Sequence, residues 1–172
     1  LSEAYGAETV RYYLMSDIVT GRDADFSEER LVQRFNVDLA NSLGNLLNRS
    51  LNMAQKYRAG KLVRSVSGPL PAAAERCLAG YTAAMEAHAV DGGLKEISGL
   101  ATEANQLIEQ TAPWKLAKDP ARADELDAVL YQIAETLRIL AILISPVLPR
   151  AAAGIFAQLN WDRPFALHEA TW

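Results

Sequence analysis

Between Asp38 and Arg49 the chain reads Asp-Leu-Ala-Asn-Ser-Leu-Gly-Asn-Leu-Leu-Asn-Arg, so Asn41, Asn45 and Arg49 recur at every fourth position. On a helix that spacing stacks them along one stripe. A carboxamide offers both a donor and an acceptor suited to the edge of a base, and a guanidinium fork suits a phosphate or a purine edge. Unpaired bases of an RNA loop are read by such groups when an aromatic side chain lies near enough to stack on. Trp114, directly after Pro113, is a candidate platform, and such stacking is worth roughly 1–3 kcal/mol per base. Lys56, Arg58 and Lys61 are candidate phosphate contacts whose contribution would fade with salt. Two plainer readings compete. A tryptophan near a helix end is commonly part of a core, and an asparagine stripe can be simply a solvated face.

No catalytic constellation stands beside this binding signal. His88 falls in a helical pattern and His168 near the end of the sequence, with nothing tying either to a nucleophile. No glycine-rich phosphate loop is present. The one cysteine, Cys77, has no disulfide partner, and with two histidines there is no metal-ligand spacing. A net charge of -4 excludes a protein that coats nucleic acid by bulk attraction. A local patch is still allowed, because Asp38 is the only acid between Arg30 and Arg64 while seven basic residues fall in that interval. The most apolar run, Ile139 to Leu148, is broken by Ser145 and Pro146 and is too short to span a bilayer. No secretory signal is visible. The chain opens on Leu1 instead of Met and reads as a piece of a larger protein.

The stripe has to be carried by a helix, and the composition predicts an all-α fold: alanine and leucine abound, and glycine and proline fall mostly between periodic segments. One long amphipathic helix is expected from Ser27 to about Tyr57. Ser27 is its N-cap, Glu28 and Glu29 occupy the first turn, and Phe26 and Leu31 are spaced for a hydrophobic staple. Its inner face is predicted as Val32, Phe35, Leu39, Leu43, Leu46, Leu47, Ala54 and Tyr57. Asn41, Asn45, Asn48, Arg49, Asn52 and Lys56 lie opposite. Asparagine is a poor mid-helix residue, and Gly44 costs about 1 kcal/mol relative to alanine, which fits a close approach by a neighbouring helix or a ligand. Further helices are expected over about 3–14, 72–89, 94–110 and 123–144, with a shorter one between Pro146 and Leu159. Breaks are expected at Gly21, at Asp91-Gly92-Gly93 and before Pro113.

Four segments together resemble methionyl-tRNA synthetase. They are Tyr5-Gly6-Ala7-Glu8-Thr9-Val10-Arg11-Tyr12-Tyr13-Leu14, Asp25-Phe26-Ser27-Glu28-Glu29, the run from Asn36 to Arg49, and Ala112-Pro113-Trp114-Lys115-Leu116. The match follows the family's order across nearly the whole chain. It implies a connector after the catalytic domain over 1–25, the anticodon-binding helix bundle of class I aminoacyl-tRNA synthetases over 26–160, and an irregular tail over 161–172. Residue by residue, it puts anticodon reading on Asn41, Asn45 and Arg49, and base stacking on the Pro113-Trp114 motif. It implies recognition of a CAU anticodon, with the anticodon loop of tRNA(Met) and the catalytic domain of the same chain as partners, a cytoplasmic location and no membrane.

The His-Ile-Gly-His and Lys-Met-Ser-Lys-Ser signatures, the methionine pocket and the zinc-binding insertion are absent from these residues. No catalytic or metal residue is therefore expected here, and no cofactor in this segment. ATP with magnesium would belong to the intact methionine-tRNA ligase. Two alternatives stay open on the sequence: the corresponding domain of another class I synthetase, separable by tRNA specificity, and a helical protein-interaction module, separable by the absence of any binding to an anticodon stem-loop.

Overall fold

The computed structural model describes residues 1–172, and every regular element in it is helical. In chain order the α-helices are α1 (Ser2–Tyr5), α2 (Ala7–Asp17), α3 (Glu28–Arg34), α4 (Asn45–Arg58), α5 (Leu70–Glu86), α6 (Val90–Thr111), α7 (Pro113–Leu116), α8 (Ala123–Ile144) and α9 (Pro149–Gln158). Short 3-10 turns cover Pro120–Arg122 and Leu167–Glu169, and a π-helical segment, Phe35–Gly44, joins α3 to α4. The all-α expectation holds.

Helix α8 is the central strut. From Ile139 to Ile144 every residue is buried, as expected of a helix that is apolar all round and covered on every side. Helices α4, α5, α6 and α9 pack around it. The predicted inner face of α6 is realised in full, with Leu94, Ile97, Leu100, Ala101, Ala104, Leu107 and Ile108 all buried. The apolar run ending at Leu148 is thus core, and no helix is long and apolar enough to cross a membrane.

The segment from Ser27 to Arg58 begins as anticipated, with the Ser27 side chain accepting from the Arg30 N–H at 3.2 Å, and closes on Ala59 in the left-handed region. Its middle corrects the expectation of one uniform α-helix, because Phe35–Gly44 is wound as a π-helix. Two tertiary ties hold that stretch. The Tyr12 hydroxyl donates to Asp38 at 3.1 Å, and the Asn105 amide donates to the Ser42 carbonyl at 3.3 Å. In the wider turn each residue advances less around the axis, and the predicted inner face is only partly buried. Leu43 and Leu46 are inside, while Val32 and Phe35 are exposed. Gly44 does not answer to a neighbouring helix. A Cβ there would sit 3.0 Å from the carbonyl oxygen of Leu39 in its own helix. Phe26 packs edge-on against Tyr13, their ring centroids 5.6 Å apart.

Other boundaries also shift. The first helix is divided at Gly6, where φ is +82°, and regular structure ends at Asp17, before Gly21. The predicted break at Asp91-Gly92-Gly93 lies earlier, at Ala87–Ala89, with His88 at φ 57°. Gly93 is inside α6 for a packing reason: a Cβ there would meet Met85 Cε at 2.8 Å and Tyr81 Cδ2 at 3.3 Å. After α9 the chain is irregular yet bound down. The buried Arg138 guanidinium donates to the carbonyls of Glu169 and Thr171 and to Glu135. The Trp172 indole donates to the Ser65 carbonyl at 3.2 Å.

Candidate nucleic-acid interface

Because α4 begins where the π-helix ends, the register of its side chains can be followed from the first α-helical turn. At roughly 100° per residue, Leu46, Ser50 and Met53 point inward, and all three are buried. The opposite sector carries Asn41, Asn45, Asn48 and Asn52, all exposed. Helix α6 runs along one flank of this sector, tied by Asn105 to Ser42 and by a 2.7 Å ion pair between Arg49 Nη2 and Glu109 Oε1. The end of helix α9 lies on the other side, where Gln158 lines a groove with Gly44, Leu47 and Leu51. The amide face therefore sits on a saddle between two helices.

The ion pair brings the stripe and the tryptophan to the same end of the molecule. Glu109 lies on the last turn of α6, four residues before Pro113. At Ala112 the backbone turns left-handed, with φ 44° and ψ 67°, and Pro113 then opens the short helix α7. Proline suits that first turn, since its missing N–H would have no partner there. Pro113 is itself buried and directs the turn, whereas Trp114 is 39% exposed. A large aromatic left that open is available for stacking.

The individual sites are not equivalent. Asn41 lies in the π-helical segment and Asn45 is the first residue of α4, so their amides follow each other across the change of winding. Arg49 is half-covered, at 26% exposure, with Nη2 on Glu109. Among the basic candidates, Lys56 is exposed with its ammonium 5.6 Å from the Tyr57 ring centroid, and Lys61 is exposed in the loop after α4. Arg58 is different. Its guanidinium is paired with Asp127 and also donates to the carbonyls of Tyr57 at 2.8 Å and Ala123 at 3.1 Å, which ties α4 to the start of α8. Arg30 and Arg34 pair with Asp17, and Arg34 also with Asp38, so the basic stretch read from the sequence is largely neutralised at its first end.

Glu109 is the residue of the candidate site that sequence reasoning missed. Its partnership with Arg49 spans 60 positions in the chain, and no local pattern announces it. Its carboxylate holds one edge of the Arg49 fork and adds a negative charge beside it. Nothing nearby supplies covalent or metal chemistry. Cys77 is buried and its thiol is pushed up to about 12 by burial and, to a lesser degree, by Glu96 and Glu103, so it is not a thiolate near neutrality. No group of three or more His, Cys, Asp or Glu residues converges to hold a metal ion.

Comparison with known proteins adds independent findings. Residues 60–170 match the family described as the anticodon binding domain of methionyl tRNA ligase, and residues 1–51 match the family described as tRNA synthetases class I (M). The chain is 41% identical over 166 residues to the methionine–tRNA ligase of Bacillus subtilis, covering 93% of this chain and 25% of that protein. With the Enterococcus faecalis enzyme of the same name the identity is 42% over 168 residues, again 25% of that protein. The chain thus spans about a quarter of those relatives' length. Among solved structures, the apo form of Mycobacterium tuberculosis methionyl-tRNA synthetase superposes with a TM-score of 0.88 at 34% identity, covering 94% of this chain and 34% of that one. The same enzyme with methionyl-adenylate gives 0.86 at 33% identity, covering 94% and 33%.

Proposed function

The chain belongs to the methionyl-tRNA synthetase family, and on that premise we propose that its saddle reads the CAU anticodon of tRNA(Met) on behalf of a methionine-tRNA ligase. The observation that supports the reading is the Arg49–Glu109 pair, which ties the amide stripe to the last turn of α6, the helix end that leads into the exposed Trp114. One unstacked anticodon base rests on the Trp114 indole. Asn45 and the free edge of Arg49 bond that base's polar edge, and Asn41 serves the adjoining position. Pro113 acts by holding the turn that presents Trp114. Lys56 and Lys61 contact backbone phosphates, while Arg58, engaged with Asp127, serves the fold first.

Discrimination follows from the cost of leaving polar groups unpaired. A base whose edge does not match buries donors against donors beneath the stack, and sites built to bond a polar group reject partners lacking it strongly. An acidic chain can do this because a reader of a few splayed bases needs fewer phosphate contacts than a duplex binder. The catalytic domain, with its ATP and magnesium, lies outside these residues, and no side-chain cluster here suits a metal. The intact enzyme acts in the cytoplasm, where its tRNA is.

In the intact enzyme, Trp114→Ala is expected to cut the aminoacylation of tRNA sharply while methionyl-adenylate formation, measured by pyrophosphate exchange, stays near the unaltered rate. An equal loss in both reactions removes Trp114 from base stacking and returns it to a structural role.

A further inference from the structure

Helix α9 begins without a cap of its own. Leu148 stands at its N-cap position and offers no side-chain acceptor, although Ser, Thr, Asp or Asn there would take up an N–H of the first turn. The acceptor comes instead from α2, 142 positions earlier in the chain. Glu8 Oε1 accepts from the Arg150 N–H at 2.6 Å, and Oε2 from the Ala151 N–H at 3.2 Å. A carboxylate at a helix N-terminus also has the favourable sign for the helix dipole. On the other side of Pro149, the Arg11 guanidinium donates to the Val147 carbonyl at 3.0 Å, in the turn that follows α8. Two side chains of α2 thus bracket the backbone between α8 and α9.

Glu8, Arg11 and Tyr12 stand at i, i+3 and i+4, on one face of α2. Tyr12 makes the third tie, through its bond to Asp38 in the π-helical segment that carries Asn41. The surroundings of these ties differ. Tyr12 is buried, and α2 packs against α6. Toward α9 the surfaces do not close. An open groove of about 370 Å³, apolar in most of its surface, is lined by Glu8 and Thr9 of α2, Leu39 and Leu43 of the π-helical segment, and Ala151 and Ile155 of α9. Close packing fixes the angle between elements in a protein interior, and between α2 and α9 it is missing. The angle there is set by the hydrogen bonds of Glu8 and Arg11, which are directional where apolar contact is not.

We propose that Glu8 and Arg11 are positioning residues for aminoacylation, holding the anticodon-reading bundle at a fixed angle to the catalytic part of the ligase. The proposal rests on the anticodon-reading function above. Helix α2 belongs to residues 1–51, which match the class I synthetase family, and the turn between α8 and α9 belongs to residues 60–170, which match the anticodon-binding family. The bracket joins the two. A tRNA is held at its anticodon and reacts at its opposite end, so anticodon contacts raise the rate only if what lies between is rigid. A misplacement of about 1 Å at the reacting end can cost roughly a hundredfold. Neither Glu8 nor Arg11 lies on the amide face or beside Trp114, and both act through the placement of α2.

The test uses the intact ligase carrying Glu8→Ala, Glu8→Gln or Arg11→Ala. Three quantities are measured on each: methionyl-adenylate formation by pyrophosphate exchange, affinity for an isolated anticodon stem-loop, and kcat and KM for aminoacylation of full-length tRNA. Glu8→Ala and Arg11→Ala are expected to lower kcat for aminoacylation about tenfold, with stem-loop affinity and adenylate formation close to those of the unaltered enzyme. Glu8→Gln keeps an acceptor oxygen and should recover part of the loss. A fall in stem-loop affinity parallel to the fall in aminoacylation overturns the proposal, because the two residues then merely stabilise the bundle. Unchanged aminoacylation, or an equal loss of adenylate formation, also overturns it. These outcomes leave the anticodon reading standing, whereas failure of the unaltered enzyme to bind the stem-loop removes that reading and the positioning role together.

Discussion

Replacing Arg49 by lysine separates base reading from charge attraction, because it keeps the positive charge and removes the fork. The Arg49–Glu109 pair joins a side chain 26% exposed to one 63% exposed, and ion pairs this open contribute only about 0–1 kcal/mol to folding. Arg49→Lys should therefore leave the unfolding free energy within about 1 kcal/mol of the unaltered chain. Binding is a different matter. A bidentate contact to a base edge is worth about 1–3 kcal/mol, and at 1.4 kcal/mol per tenfold its loss weakens a cognate stem-loop by roughly 5- to 150-fold. The salt dependence should stay as it was, since each phosphate contact on a single strand contributes a slope of about -0.7 and none is lost. Fluorescence anisotropy of a labelled stem-loop, titrated at several salt concentrations, gives affinity and slope together. Arg49→Ala completes the set. If lysine restores full affinity while alanine shallows the slope by about 0.7, Arg49 is a phosphate contact, and the base-edge assignment is refuted.

Two further predictions concern the frame that holds the saddle. Arg138→Met should cost about 3–5 kcal/mol, as breaking one side of a buried charge network does, because it strands Glu135 and the carbonyls of Glu169 and Thr171. Urea denaturation would show the loss, and amide hydrogen exchange should show residues 167–172 released first. Two glycines should respond oppositely to alanine. Gly99 is exposed inside α6 with nothing within 4 Å of an added Cβ, so Gly99→Ala should stabilise by up to about 1 kcal/mol. At Gly68, φ is +107° and a Cβ would lie 2.2 Å from the Gln132 side-chain oxygen, which accepts from the Leu70 N–H. Gly68→Ala should lower the melting temperature markedly.

What the sequence reveals and what it hides divide along a physical line. Helix α8 is read to the residue, Ala123 to Ile144, because an apolar run between proline-marked turns is a local signal. The Ser27 cap is legible for the same reason. The π-winding of Phe35–Gly44 is not, and the ties made along it, Tyr12 to Asp38 and Asn105 to Ser42, are contacts that no window along α3 and α4 contains. The break at Ala87–Ala89 was concealed by the glycines after it, which serve helix packing and not chain reversal. In the candidate site, Asn41, Asn45, Arg49 and Trp114 are visible as types and spacing. The tie of Arg49 to the end of α6 comes from Glu109, and the diversion of Arg58 comes from Asp127. Both partners lie on distant helices.

The central claim is that the amide stripe and Trp114 form one base-reading surface, and titrating this chain with an anticodon stem-loop tests it most directly. Trp114 fluorescence should respond as a CAU loop binds, the affinity should weaken with salt, and changing the first anticodon base should reduce it by at least tenfold. Equal affinity for CAU and altered loops, with Trp114 emission unmoved, would contradict the account.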